Sequence, residues 1–239
     1  MDESEKRKFF HTWFFPVAFV FVLWVMKLSE YVFHVDLYQL GLYPREIKGL
    51  TGVVFAPLLH ADFNHLFSNS IPLLVLGAGL FYFYREIGYK VFFSIYVMTG
   101  LWVWVSARPV YHIGASGVVY GLASFLFFSG LIRRHSYLMA FSLFVVFLYG
   151  SMIWGMIPLK NGVSWESHLM GAAAGLVCAS YYRNIGLQKP KFDWEDLPDD
   201  ENNEAIEEIN EENTTPSNTT QNITYQYVFK ERDENKLEE

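Results

Sequence analysis

The sequence predicts an all-α polytopic membrane protein, with six transmembrane helices and a disordered acidic C-terminal tail. Three observations predict it. Of the 239 residues, 52% are hydrophobic and 18% aromatic, and the mean hydropathy is +0.16. The apolar residues fall in blocks rather than in periodic stripes, and blocks of roughly 17–25 are what a hydrocarbon layer about 30 Å thick requires. Charge is also segregated: residues 188–239 hold five Lys/Arg against sixteen Asp/Glu, while the remainder holds thirteen against nine. The net charge of −7 is therefore a tail of −11 on a mildly basic body of +4. The single cysteine, Cys178, excludes an intramolecular disulfide framework and a cysteine-based zinc cluster.

Residues 1–12 form a charged N-terminal segment, read as cytoplasmic. They lead into an apolar stretch well beyond signal-peptide length, with no small-residue cleavage site, so the first span, 13–33, is expected to be retained. Residues 34–64 are too broken to span and too apolar for a solvated loop. Leu37, Leu40, Leu42, Val53, Val54, Phe55, Leu58 and Leu59 suggest a segment lying in the membrane interface. The remaining spans are 65–84, 89–105, 116–131, 137–157 and 166–182, closing a membrane domain at 13–186.

Orientation follows from Lys and Arg in the connections. One side carries Lys6, Arg7, Lys8, Arg85, Lys90, Arg133, Arg134, Arg183, Lys189 and Lys191. The other carries only Arg45, Lys48, Arg108 and Lys160. Both termini are expected in the cytoplasm. Residues 187–239, rich in Asp, Glu, Asn and Thr, cannot bury enough surface to offset their conformational entropy. Asn213, Asn218 and Asn222 each begin an N-x-T triplet, but a cytoplasmic tail is not glycosylated.

Ionisable groups inside a membrane segment are costly and usually functional. Ser116 opens the fourth span at its outer end, and Arg133 marks the inner end seventeen residues later, about 25 Å along a helix. His168 opens the sixth span, again just after an outer loop. The two residues therefore lie at one depth. Gly117 and Gly121 form a GxxxG pattern beside Ser116, and Gly171 and Gly175 form another on the His168 face. Small residues four apart let helix backbones approach closely in lipid. If the two seams meet, serine and imidazole come within reach, the geometry of a base-activated nucleophile. Tyr120, one turn below Ser116, would pack its ring on the imidazole.

An acyl-transfer site also needs donors for a developing oxyanion. His65 and Asn69, four apart on the second span, offer them together with the Ser116 backbone N–H. His60 lies about 140° round from His65 and belongs to the preceding loop, where it stabilises that structure. Glu166 points about 200° away from His168, so the reading is a dyad without a carboxylate. His112 is read as interfacial, near the site but mobile. His60, Asp62, His65 and His168 lack the spacing of a helical zinc motif, and no metal is expected.

The segments His60-x4-His65-x3-Asn69, Gly114-Ala115-Ser116-Gly117-x2-Tyr120-Gly121 and His168-x2-Gly171-x3-Gly175 resemble those of the rhomboid intramembrane serine proteases, in the same order on the second, fourth and sixth spans. The resemblance covers roughly residues 10–185. It implies a six-helix rhomboid-like bundle, Ser116 as nucleophile, His168 as general base, His65 and Asn69 on the oxyanion side, and Tyr120 stacked on the histidine. It implies no cofactor, no nucleic-acid partner, and single-span membrane proteins as substrates within the bilayer. The chain departs from the family where many relatives carry a Trp-Arg pair in the first outer loop: here the residues are Gly49-Leu50-Thr51-Gly52-Val53. A bacterial plasma membrane is the expected location. The competing readings are an inactive rhomboid-like protein that binds and escorts membrane helices, and a small transporter. Retention of both Ser116 and His168 weighs against the first, and polar groups confined to the outer half weigh against the second.

Overall fold

Among the described residues of the computed structural model, which are 2–148, 154–157 and 164–185, there are seven α-helices and no strand. The chain is the all-α helical bundle its apolar blocks predict. Asp2 caps α1 (Glu3–Phe33) by accepting from the Glu5 N–H at 2.7 Å, with Glu3 and Glu5 in the first turn, where the helix dipole favours negative charge. The helix thus starts ten residues before the predicted span. At 31 residues it is about 46 Å long, more than the hydrocarbon layer needs. Pro16 within it packs against Gly77 of the next long helix, where a Cβ would lie 2.9 Å from the proline ring.

After α1 come short 3-10 turns at Tyr38–Leu40, Ile47–Thr51 and Ala56–Leu58, with the single helical turn α2 (Gly52–Phe55) between the last two. The long helices α3 (Phe63–Phe83), α4 (Gly88–Ser106), α5 (Ser116–Ile132), α6 (Ser136–Leu148) and α7 (Trp165–Tyr181) follow. Helices α1, α3 and α4 are each long and apolar enough to cross a membrane; α5 is a shorter apolar helix of 17 residues. The predicted fifth span, 137–157, is described only as α6 and residues 154–157. The expected tail at 187–239 lies outside the described residues.

The loop that lacks the Trp-Arg pair is anchored on α4 instead. Trp104 donates its indole N–H to the Glu46 carbonyl at 2.9 Å, the Arg45 N–H reaches the Trp104 carbonyl, and the Tyr96 hydroxyl donates to the Val54 carbonyl. Leu42 forms an antiparallel bridge with His112. At Gly52 a Cβ would fall 2.0 Å from the Leu42 backbone, so only glycine permits the crossing. Lys27, within α1, turns its ammonium to the carbonyls of His60 and Ala61 and pairs with Glu30. Its position in the span is thereby satisfied.

Helix α5 is the pillar of the bundle, buried along nearly its whole length and packed most closely on α7. A Cβ on Gly171 would lie 2.0 Å from the Gly117 carbonyl oxygen, and one on Gly175 would lie 2.1 Å from that of Gly121. The two glycine rows therefore face each other, and the backbones touch where side chains would hold them apart. Lipid supplies no hydrophobic drive between helices, so contact of this kind carries the association.

Candidate active site

The α5–α7 contact decides where the functional side chains sit. Gly114, at φ +109°, turns the chain just before α5, a conformation that favours glycine. Its N–H donates to the Ala56 carbonyl at 2.8 Å, and the next N–H, of Ala115, reaches His60 Nε2 at 3.5 Å. Ser116 then begins the helix. Its Oγ lies 2.8 Å from Nε2 of His168, at the start of α7. His168 Nδ1 lies 2.7 Å from the Gly155 carbonyl oxygen. A carbonyl only accepts, so Nδ1 carries the hydrogen and Nε2 presents its lone pair to the serine hydroxyl. The Tyr120 ring stacks on the imidazole at 4.2 Å between centroids and 8° between planes.

The pair opens on a cavity of about 920 Å³ that His65, Asn69 and Tyr120 also line. His65 lies against the Gly114 turn, where a Cβ would meet its ring at 2.7 Å. Asn69, from one turn further along α3, is 5% exposed and donates its side-chain amide to the His65 carbonyl at 3.2 Å. His60 stands behind this wall with its ring 5.1 Å from that of His65. Burial, reinforced by His65, pushes its pKa down to about 3, so it stays neutral and can accept the Ala115 N–H.

Sequence reasoning missed a second polar cluster beside the first. Read as mobile, His112 is in fact 3% exposed, because its bridge to Leu42 draws it under the first loop. Its Nδ1 lies 2.5 Å from Ser164 Oγ and its Nε2 lies 3.1 Å from the Arg108 carbonyl. Glu166 turns away from the dyad, as its helical offset requires, and meets Arg108 at 2.5 Å. The one sequence signal for the first contact is numerical: positions 112 and 164 share the offset of 52 that separates 116 from 168. Among the described residues, no three His, Cys, Asp or Glu side chains gather as a metal would require.

Residues 48–185 match the Rhomboid domain family. The chain belongs to the rhomboid family. The match takes in every long helix from α3 to α7 and both members of the Ser116–His168 pair. Uncharacterized proteins of Mycobacterium bovis and Mycobacterium tuberculosis are each 39% identical over 177 residues, which is 68% of this chain and 72% of theirs. One from Mycobacterium leprae is 34% identical over 177 residues, 68% of both chains. Family and apolar helices together make this rhomboid an integral membrane protein.

Proposed function

We propose that the chain is an intramembrane serine endopeptidase that cleaves transmembrane segments of single-span membrane proteins near the outer face of the bilayer. The observation that carries this reading is the chain from Ser116 Oγ through the His168 imidazole to the Gly155 carbonyl, with contacts of 2.8 and 2.7 Å. In the proposed reaction Ser116 Oγ attacks the scissile carbonyl carbon while its proton passes to His168 Nε2. Negative charge on the former carbonyl oxygen is met by the Ser116 backbone N–H and by donors of His65 and Asn69. Collapse expels the amine, which takes the proton from His168. Water from the cavity then attacks the acyl carbon, giving one proton to His168; the bond from that carbon to Ser116 Oγ breaks, Oγ takes the proton back from His168, and the new carboxylic acid leaves. The Gly155 carbonyl does the orienting that a carboxylate does in a triad, holding Nδ1–H so that Nε2 faces the serine. Tyr120 fixes the plane of the ring.

A substrate helix hides its carbonyls in its own hydrogen bonds, so it must unwind locally to reach Ser116. The reading needs no cofactor, and it places the chain in a bacterial plasma membrane with both ends in the cytoplasm, in keeping with the excess of Lys and Arg on that side. The test is fluorophosphonate labelling of purified protein alongside cleavage of a model single-span substrate. Wild type should label at Ser116 and cut; Ser116→Ala and His168→Ala should do neither. Retained cleavage in either variant would sink the assignment.

A further inference from the structure

The dyad has a counterpart four residues upstream in both chain segments. His112 precedes Ser116 by four residues, and Ser164 precedes His168 by four. Both bonds join the same two chain segments at the same offset of 52, with the residue types exchanged. In each case a hydroxyl meets an imidazole whose far nitrogen meets a backbone carbonyl: Gly155 for His168, Arg108 for His112. Since the Arg108 carbonyl only accepts, His112 donates from Nε2 and accepts the Ser164 hydroxyl at Nδ1. Burial holds the His112 pKa below its ordinary value, against the pull of the Arg108 carbonyl and of Glu166. The ring is therefore neutral, as this bond requires.

Ser164 has a second duty. Its oxygen caps α7, lying 3.4 Å from the Ser167 N–H and 2.6 Å from the Ser167 hydroxyl. One atom thus sets where α7 begins and ties that point to the segment leading into Ser116. The segment is itself held twice: by the Leu42 bridge and by Arg108 on Glu166, whose side chain is only 5% exposed. A partly buried ion pair adds little net stability, because desolvation offsets its attraction, but it restricts geometry.

The glycine seam alone leaves one coordinate undefined. Contact of Gly171 with the Gly117 carbonyl and of Gly175 with that of Gly121 fixes how far α7 stands from α5. Axial register is held by directional hydrogen bonds: further along the helices the Ser124 hydroxyl donates to the Ala172 carbonyl at 2.6 Å, and at the dyad end the His112–Ser164 bond is its counterpart. A slide of about 1 Å would carry the Ser116–His168 distance of 2.8 Å out of reach, and misplacement of that size costs up to about 10²-fold in rate. We propose that the His112–Ser164 bond, backed by the Arg108–Glu166 pair, is a register latch that sets the axial position of His168 against Ser116. His112 is then a positioning residue, and it touches no reacting atom.

The inference rests on the protease reading, and the experiment separates the two. Full-length protein is compared as wild type, His112→Phe, Ser164→Gly, the double variant, and His112→Asn. The asparagine places an acceptor near Nδ1 and so keeps the Ser164 bond. His112→Phe and Ser164→Gly should each slow fluorophosphonate labelling and lower kcat by roughly 10- to 100-fold, with KM within about twofold. The double variant should be no more than about twofold worse than either single one, because both remove the same bond. His112→Asn should recover most of the rate. Single variants at the wild-type rate, multiplicative losses, or an asparagine no better than phenylalanine would overturn the latch. Wild type that fails to label would refute the protease reading instead. Amide exchange in the first turn of α7 then decides the latch alone: faster exchange in His112→Phe upholds it, and unchanged exchange overturns it.

Discussion

Helices α5 and α7 run side by side, and their two ends are joined by different chemistry. At the dyad end the ties centre on imidazoles, Ser116 to His168 and His112 to Ser164, with the Arg108–Glu166 ion pair and a cavity of about 920 Å³ beside them. At the far end, among the described residues, the join is made through a cation. Arg133, 5% exposed, donates to the carbonyls of Arg183, Tyr182 and Ile185 at 3.1, 2.5 and 2.6 Å, and also to Tyr84 and Ser129, with its guanidinium over the Tyr84 ring. Those carbonyls lie at the C-cap of α7 and just beyond it, where a positive charge suits that end of the dipole. Arginine does not release its proton, so this join is permanent. At the other end only His168 exchanges a proton in the proposed reaction, while burial keeps His60 and His112 neutral. One helix pair can therefore keep its stability and its reactivity about 25 Å apart.

That division can be broken from either side. The largest effect is expected from Ser116→Ala and His168→Ala, each lowering cleavage by about 10⁴-fold or more while thermal unfolding stays within about 2 °C of wild type. A large fall in melting temperature would mean that the dyad also holds the fold. Asn69→Ala should cost about 10²- to 10³-fold in kcat, the loss typical of one oxyanion donor. An effect confined to KM would assign Asn69 to binding instead. Arg133→Ala should invert the pattern. It removes the shared partner of several buried acceptors and should destabilise by about 2–4 kcal/mol in a denaturation series. Labelling of the fraction still folded should stay within about twofold, and selective loss of labelling would show that the far end governs the dyad.

The smallest expected effect is acid sensitivity of the dyad end. His60 titrates at about 3 in the folded protein against an ordinary 6.5, so the unfolded chain binds the proton more readily. Its contribution to stability is complete above about pH 6.5 and declines as pH falls toward 3. Melting temperature measured from pH 7 to pH 4 should fall, and His60→Gln, which keeps an acceptor near Nε2 but does not titrate, should flatten the slope. An unchanged slope would remove His60 as the cause.

Much of this was legible along the chain. Depth in a membrane follows from counting residues between polar ends, and the face of a helix follows from spacings of three and four. Periodicity thus put Gly117 and Gly121 in phase with Ser116, Gly171 and Gly175 in phase with His168, and Asn69 on the face of His65. The order of these motifs along the chain carries the family resemblance. These are one-dimensional facts, set by the rise and turn of a helix and by the thickness of hydrocarbon.

Other features belong to tertiary structure alone. The partner of His168 Nδ1 is the Gly155 carbonyl, and a backbone carbonyl leaves no mark in sequence because every residue has one. His112 is buried because Leu42, seventy residues earlier, crosses it, and Glu166 is paired because the chain before α5 brings Arg108 to it. Lys27 is tolerable within α1 only because the carbonyls of His60 and Ala61 turn toward it. Sequence by itself determined which residues share a depth and a face. Only packing decided which of them touch, because a hydrogen bond depends on distances and angles that arise once distant segments have met.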